Sequence, residues 1–259
     1  MTKHQIIIVS TAILLTGVLY FAVDTKLKKT DKQESIIKED GELSNFDQVI
    51  NIQKDSISAE SKKEIEFVEK SLLNTSTDSM KLELLKKLAS LWYKEGKAVV
   101  SAYYAEKIAE KENTAEAWQI AGTTYRLGIQ NTNNEKLKDL SSQRAVKTLE
   151  TAIKLDSAKI TYKIQLAMVY VDRPLQNNPM KGILMLRDLN EKYPDQPGVI
   201  LQLGQLAMRT GQYEKAIERF KKALTLLPKE SNIYCLLADA YTAKGDNVAS
   251  FEAAKKCKK

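Results

Sequence analysis

A period of 34 residues governs the C-terminal third of the chain. Shifted by that step, Ile200 falls on Tyr234, Leu203 on Leu237, Gly204 on Ala238, Gly211 on Gly245, Ala216 on Ser250 and Ala223 on Cys257. Backwards by the same step, Gly182, Leu186, Leu189 and Pro194 stand where Ala216, Phe220, Ala223 and Pro228 follow. Large positions stay mostly large and small ones small, and a fixed period of about twenty to fifty residues marks stacked supersecondary units. Within each unit the apolar residues recur at i, i+3, i+4 and i+7, which predicts two antiparallel helices joined by a tight turn at Gly211 or Gly245. Gly and Ala sit where two helix axes approach most closely, because a larger side chain would force the pair apart. One such hairpin cannot bury both of its faces, so neighbours must stack into a solenoid.

The rest of the chain agrees with an all-α reading. Ten Gly and five Pro are few among 259 residues, whereas Ala, Leu, Lys and Glu are plentiful. The net charge of +7 arises from 40 Lys and Arg against 33 Asp and Glu, with the signs interspersed as on solvated helix faces. A nucleic-acid footprint would cluster basic residues on one face. His4 is the sole histidine, and Cys235 and Cys257 are the only cysteines, too few for a zinc site in the soluble part. No phosphate-binding glycine loop, G-x-S-x-G or histidine-activated nucleophile is present. No catalytic residue, cofactor or metal is therefore expected.

Residues 6–23, "IIIVSTAILLTGVLYFAV", opening on Ile6 and closing on Val23, form an uncharged run long enough to cross a hydrocarbon core as a helix. Tyr20, Phe21 and Ala22 do not supply the small residues of a signal-peptide cut, so a retained single-pass anchor is expected, in a bacterial inner membrane. The basic "KLKK" after the run favours a cytoplasmic C-terminal domain, while the usual architecture of uncleaved signal-anchors favours the periplasmic side. The side stays open, with the periplasm favoured on architecture alone. Residues 1–24 are thus read as the anchor and 25–56 as a mixed-charge tether with room for a short helix near 43–52. A capping helix is expected within 57–79, and 80–259 as the solenoid of about five repeats.

These residues resemble a named family, the tetratricopeptide repeat, with its motif W-x-x-L-G-x-x-Y, A-x-x-x-F-x-x-A, P. Residues 197–230 match it through Ile200, Leu203, Gly204, Ala216, Phe220, Ala223 and Pro228, with Ala207 in place of the tyrosine. Trp118, Ala121, Gly122 and Tyr125, followed by Ala145, Leu149 and Ala152, give another unit. Leu85, Leu88, Ala89 and Trp92 open an earlier one, and Leu166, Ala167 and Tyr170 a further one. Between Tyr125 and Ala145 the chain runs about eleven residues longer than the family spacing, and between Tyr170 and Gly182 about three longer, both extras being assigned to turns. Turns on one edge of adjacent units form a candidate accessory surface; tolerated insertions are the alternative.

The resemblance implies a right-handed superhelical solenoid whose first helices line a concave groove holding an extended peptide or a partner helix. Projected onto this sequence, the groove would offer Lys86, Ser90, Gln119, Thr123, Arg126, Ile164, Met168, Leu201, Gln205, Met208, Cys235 and Asp239. Only Lys86 and Arg126 match the cationic clamp of the family's chaperone-binding members, and that subtype is rejected. Cys235 and Cys257 are expected as unbonded, buried small residues, since the projection does not bring their Cα atoms within about 7 Å. The expected function is a non-catalytic, membrane-anchored scaffold for protein partners, in assembly of a membrane or envelope complex by architectural analogy. A helical-repeat nucleic-acid-binding protein is the alternative, against which the unclustered charge stands.

Overall fold

The structure, a computed structural model, describes residues 46–257. The expected anchor at residues 6–23 and most of the tether lie outside the described residues. Two compact units divide the chain, residues 1–55 and 56–259. Within the first, α1 (Phe46–Lys54) buries Phe46, Val49 and Ile50, an i, i+3, i+4 face, so the last stretch assigned to the tether is an amphipathic helix.

Among its described residues the second unit contains eleven helices: α2 (Ala59–Asn74), α3 (Asp78–Lys94), α4 (Ala98–Glu112), α5 (Ala115–Asn131), α6 (Glu135–Leu155), α7 (Ile160–Asp172), α8 (Lys181–Lys192), α9 (Pro197–Arg209), α10 (Tyr213–Leu226), α11 (Ser231–Lys244) and α12 (Asn247–Ala254). No strand occurs among the described residues, and the all-helical expectation holds. Each helix packs on its neighbours in sequence, and α5, α7 and α9 also pack on one another in turn. The result is a leading helix, α2, followed by five stacked hairpins from α3/α4 to α11/α12.

Local chemistry sets the boundaries. Ser58, Thr114, Asn134 and Asp246 cap α2, α5, α6 and α12 by accepting from the backbone N–H three residues on. Gly211 and Gly245 adopt φ of +71° and +88° at the turns of the last two hairpins, a left-handed conformation that a side chain disfavours. The second and third hairpins turn differently, and there the extra residues lie. The segment expected as a long turn after Tyr125 is instead helical. α5 runs 17 residues and α6 runs 21, leaving only residues 132–134 between them. Ile129, Leu137 and Leu140 are buried, so the apolar stripe continues along the extra turns and carries helix with it. The third hairpin keeps an open loop at 173–180, closed by an isolated bridge between Leu175 and Asn178.

The small residues do what the period demanded. A Cβ at Gly204 would stand 2.5 Å from the Phe220 ring, and one at Gly182 2.5 Å from the Ala167 carbonyl oxygen. Around Phe220, Ile200, Ala207, Ala216, Ile217, Ala223, Ile233, Leu237 and Ala238 form one core spanning the last two hairpins. Burial of each large side chain there contributes about 1.5–3 kcal/mol.

Candidate partner-binding groove

A cavity of about 440 Å³ opens between α3 and α5, above α4. Ala89, Ser101, Ala105 and Ala117 keep it deep because they are small, and Ile108 adds an aliphatic wall. Tyr93 and Ile120 flank it and remain 59% and 56% exposed. Four of its polar side chains are engaged internally, while Ser90 and Tyr93 stand exposed on its wall. The Ser101 hydroxyl donates to the Ala89 carbonyl at 2.8 Å, the Thr124 hydroxyl to the Ile120 carbonyl at 2.7 Å, and Lys86 Nζ lies 2.7 Å from Glu112 Oε1.

Of the residues projected onto the groove, Lys86 and Ser90 line this cavity. On α5 the facing residues are Ile120 and Thr124, one position on from Gln119 and Thr123, which are half-buried. Arg126 is drawn into an ion pair described below. Ile164 and Met168 are each only 4% exposed and pack with Ala167, Leu186, Val199 and Leu203, so they are core residues and not groove residues. The signal was available: "YKIQLAMVYV" is apolar almost all round, and a helix of that kind is buried on every side. Leu201 and Met208 are half-buried against the core of the last two hairpins, Gln205 is half-buried, and Asp239 is exposed.

Beyond the cavity the first helices are tied together by charge. Asp172, with its side chain 6% exposed, accepts from Arg126 Nε at 2.7 Å and Gln130 Nε2 at 2.8 Å through Oδ2, and from Arg209 Nη1 at 3.3 Å through Oδ1. The three donors and the acceptor come from α5, α7 and α9, the first helices of successive hairpins. Next to Asp172, Arg173 reaches back to α6, donating to Asp139 Oδ1 at 2.8 Å and Glu135 Oε2 at 2.6 Å. The two insertions therefore do meet, through Arg173. Hydrogen bonds from Lys138 and then Arg173 hold the Glu135 carboxyl below the usual carboxylate range.

A buried polar contact joins the first two hairpins. Glu106 on α4 is 2% exposed, accepts from the Tyr125 hydroxyl at 2.7 Å, and pairs with Arg144 Nη1 at 3.2 Å. Burial foremost, and the facing Glu106 carboxylate, push the Tyr125 phenol far up.

The structure corrects the reading of the cysteines. Cys235 and Cys257 form a disulfide with a Cα–Cα distance of 4.8 Å. α12 runs antiparallel to α11 and is short, so Cys257, just past its end, returns beside the second turn of α11, where Cys235 stands. Projection by the repeat placed Cys257 inside a second helix of full length, which this hairpin does not have. Both residues are half-buried. Among the described residues no group of three or more His, Cys, Asp or Glu is placed to hold a metal ion.

Stacked helical hairpins with small residues at fixed close approaches define a helical-repeat solenoid. Residues 204–245, from the middle of α9 to the turn at Gly245, match the family model described as TPR repeat. Solved structures similar to it include "Crystal structure of MamA protein", at 17% identity over 68% of this chain and 89% of that one, TM-score 0.39. Another, "Crystal structure of MamA", shows 18% identity over 66% of this chain and 92% of that one, TM-score 0.40. No curated protein matches the chain.

Proposed function

We propose that the protein is a membrane-anchored, non-catalytic scaffold that holds a protein partner in the groove formed by its first helices. The cavity between α3 and α5 carries this reading, since it is open to solvent and walled by small and apolar side chains, while its ion pair and two hydroxyls are engaged internally. Such a site offers contact and not chemistry. Assembly of a membrane or envelope complex is the role this architecture fits. Among the described residues no helix is long and apolar enough to cross a membrane. Anchoring rests on the uncharged run at residues 6–23, outside the described residues.

The disulfide supports placing the repeats on the oxidising, periplasmic side, because disulfides persist in such compartments and are rare in reducing cytosol. A photo-crosslinking amino acid at Ser90, exposed on the cavity wall, tests the scaffold reading in intact cells, with Glu218 on α10 as the comparison site. A discrete protein adduct from position 90 and none from position 218 is expected. No adduct from either position overturns the reading.

A further inference from the structure

The outward face of the last helix breaks the pattern of the stack. On α10 the exposed positions are Glu214, Lys215, Glu218, Lys221, Lys222 and Thr225, all polar, as a solvated outer face should be. On α12 the face opposite the buried Ala253 carries Val248, Phe251 and Lys255, at i, i+3 and i+7. Val248 is 78% and Phe251 63% exposed, and Lys255 keeps helical backbone angles at the cap. Basic residues follow directly: within 247–259, Lys255, Lys256, Lys258 and Lys259 stand against a single acid, Glu252. Lys255 Nζ lies 4.5 Å from the Phe251 ring centroid and Lys256 Nζ 5.5 Å from that of Tyr234 on α11, so both lie against aromatic rings while remaining exposed. The disulfide at Cys257 ties this basic run to α11. Lys255 also pairs with Glu252 at 2.7 Å, but both side chains are more than half exposed, and a surface pair of that kind is weak.

The chemistry of this face selects what covers it. A second copy of the chain, meeting the face with its own, would bring two sets of four lysines together, which is repulsive. Two apolar side chains on an eight-residue helix also fall far short of the about 800 Å² per partner that a stable protein interface buries. A nucleic-acid backbone would satisfy the lysines and leave Val248 and Phe251 against phosphate and water. An anionic bilayer meets both halves of the face. Its headgroup phosphates attract the lysines within about 10 Å at 0.1 M salt, and its acyl boundary takes the Phe251 ring and the Val248 side chain, the pairing of basic and apolar groups that interfacial helices use. Such a contact is weak alone, and a chain already anchored through residues 6–23 supplies the second signal that stable attachment needs.

We propose that the outward face of α12, Val248, Phe251 and Lys255 with the lysines beside it, docks on an anionic bilayer surface and holds the C-terminal end of the stack at the membrane. This rests on the anchored reading for its strength and adds a second membrane contact to it.

The test uses the full chain in lipid nanodiscs, with 4-fluorophenylalanine in place of Phe251 or, for comparison, of the exposed Tyr93 on α3. Fluorine NMR then reports how strongly a gadolinium-chelating lipid broadens each position. Discs of phosphatidylcholine are compared with discs that also contain phosphatidylglycerol. The expected result in the phosphatidylglycerol discs is broadening at position 251 at least threefold that at position 93. It should fall to the level of position 93 in phosphatidylcholine alone, in high salt, and when Lys255→Glu and Lys256→Glu are combined. Val248→Asp, which keeps every lysine, should reduce it as well. These substitutions are at exposed positions, and unchanged circular dichroism verifies that the variants fold.

Equal broadening at positions 251 and 93 overturns the inference, since the anchor alone then accounts for proximity. Equal broadening in both lipids overturns it, as does broadening that survives the lysine variant or Val248→Asp. A position-251 resonance that shifts with protein concentration or with added single-stranded DNA, and is not broadened by the lipid, assigns the face to a second copy or to a nucleic acid and overturns it too. The failures are separable: if the chain leaves phosphatidylcholine discs on size exclusion, residues 6–23 do not anchor it and the anchored reading falls, while the position-251 signal in phosphatidylglycerol discs still decides the docking.

Discussion

Arg126 and Asp172 lie 46 residues apart in sequence and meet at 2.7 Å between Nε and Oδ2, joining the first helices of the second and third hairpins. Arg209 adds a fourth-hairpin contact to the same carboxylate, so one buried acid spans three repeats. Removing one member of a buried pair leaves the other uncompensated. Asp172→Ala is therefore expected to destabilise the solenoid by about 3 kcal/mol, read by urea unfolding followed by circular dichroism. A change within about 0.5 kcal/mol, the range of an ordinary surface substitution, would show that the three-way contact does not form.

The buried Glu106 makes a second and separate demand. Its carboxylate has the Tyr125 hydroxyl at 2.7 Å and Arg144 at 3.2 Å. Tyr125→Phe keeps the packing and removes one hydrogen bond to a charged group, at an expected cost of about 1.5–3 kcal/mol. Ultraviolet titration supplies the companion measurement: in the folded protein this phenol stays protonated through the pH range where exposed tyrosines ionise, because burial opposes the phenolate.

Much of this was legible in the amino-acid sequence, for a physical reason. Gly204 against Phe220 and the turns at Gly211 and Gly245 recur because identical packing problems recur every 34 residues. Where the period breaks, legibility ends. The Asn-rich "NTNN" reads as a turn, and most of its surroundings became helix because Ile129, Leu137 and Leu140 had a face to bury. The groove register slipped by one residue on α5, since the face presented there depends on how α5 rotates against α4 and α6. Ile164 and Met168 were placed by analogy with other first helices, although their own neighbours are apolar on every side. The disulfide was missed because the repeat projection assumed a full-length last helix.

The close approaches can be ranked. Alanine is favoured over glycine within a helix by about 1 kcal/mol, so packing must outweigh that gain for the substitution to destabilise. At Gly204 the obstacle is the buried Phe220 ring, 2.5 Å from the new methyl. At Gly182 the obstacles are the Ala167 carbonyl oxygen at 2.5 Å and the Val171 nitrogen at 2.7 Å, both backbone atoms that cannot rotate away. Both variants are expected to lose stability, Gly204→Ala by about 1–3 kcal/mol and Gly182→Ala by more. Thermal melts of the two side by side check the order, and the reverse order would refute the backbone argument.

Glu135 joins the two insertions and is sensitive to acid. Hydrogen bonds from Lys138 first, and from Arg173, depress its folded pKa. A depressed carboxyl contributes stability that is present above its unfolded pKa and lost as pH falls through the folded value, so the contact weakens only below the ordinary carboxylate range. Arg173→Gln should raise the Glu135 titration midpoint partway, with Lys138 holding the remainder, as measured by side-chain carboxyl NMR. An unchanged midpoint would mean that Arg173 does not bridge to α6.

The last hairpin depends on its disulfide more than its packing. α12 has eight residues and buries only Ala253, too little to hold a short helix in place by itself. The bond between Cys235 and Cys257 spans 22 residues, and a loop of that size contributes about 3 kcal/mol. In a stack where each repeat contacts only its neighbours, that loss stays local. Reduction, or replacement of both cysteines by serine, should therefore accelerate hydrogen exchange through residues 247–254 and the facing turn at Gly245. Helices α3 to α7 should remain protected as before. Exchange spreading evenly through all five hairpins would show instead that the bond stabilises the whole stack, and no change in α12 would show that its packing suffices.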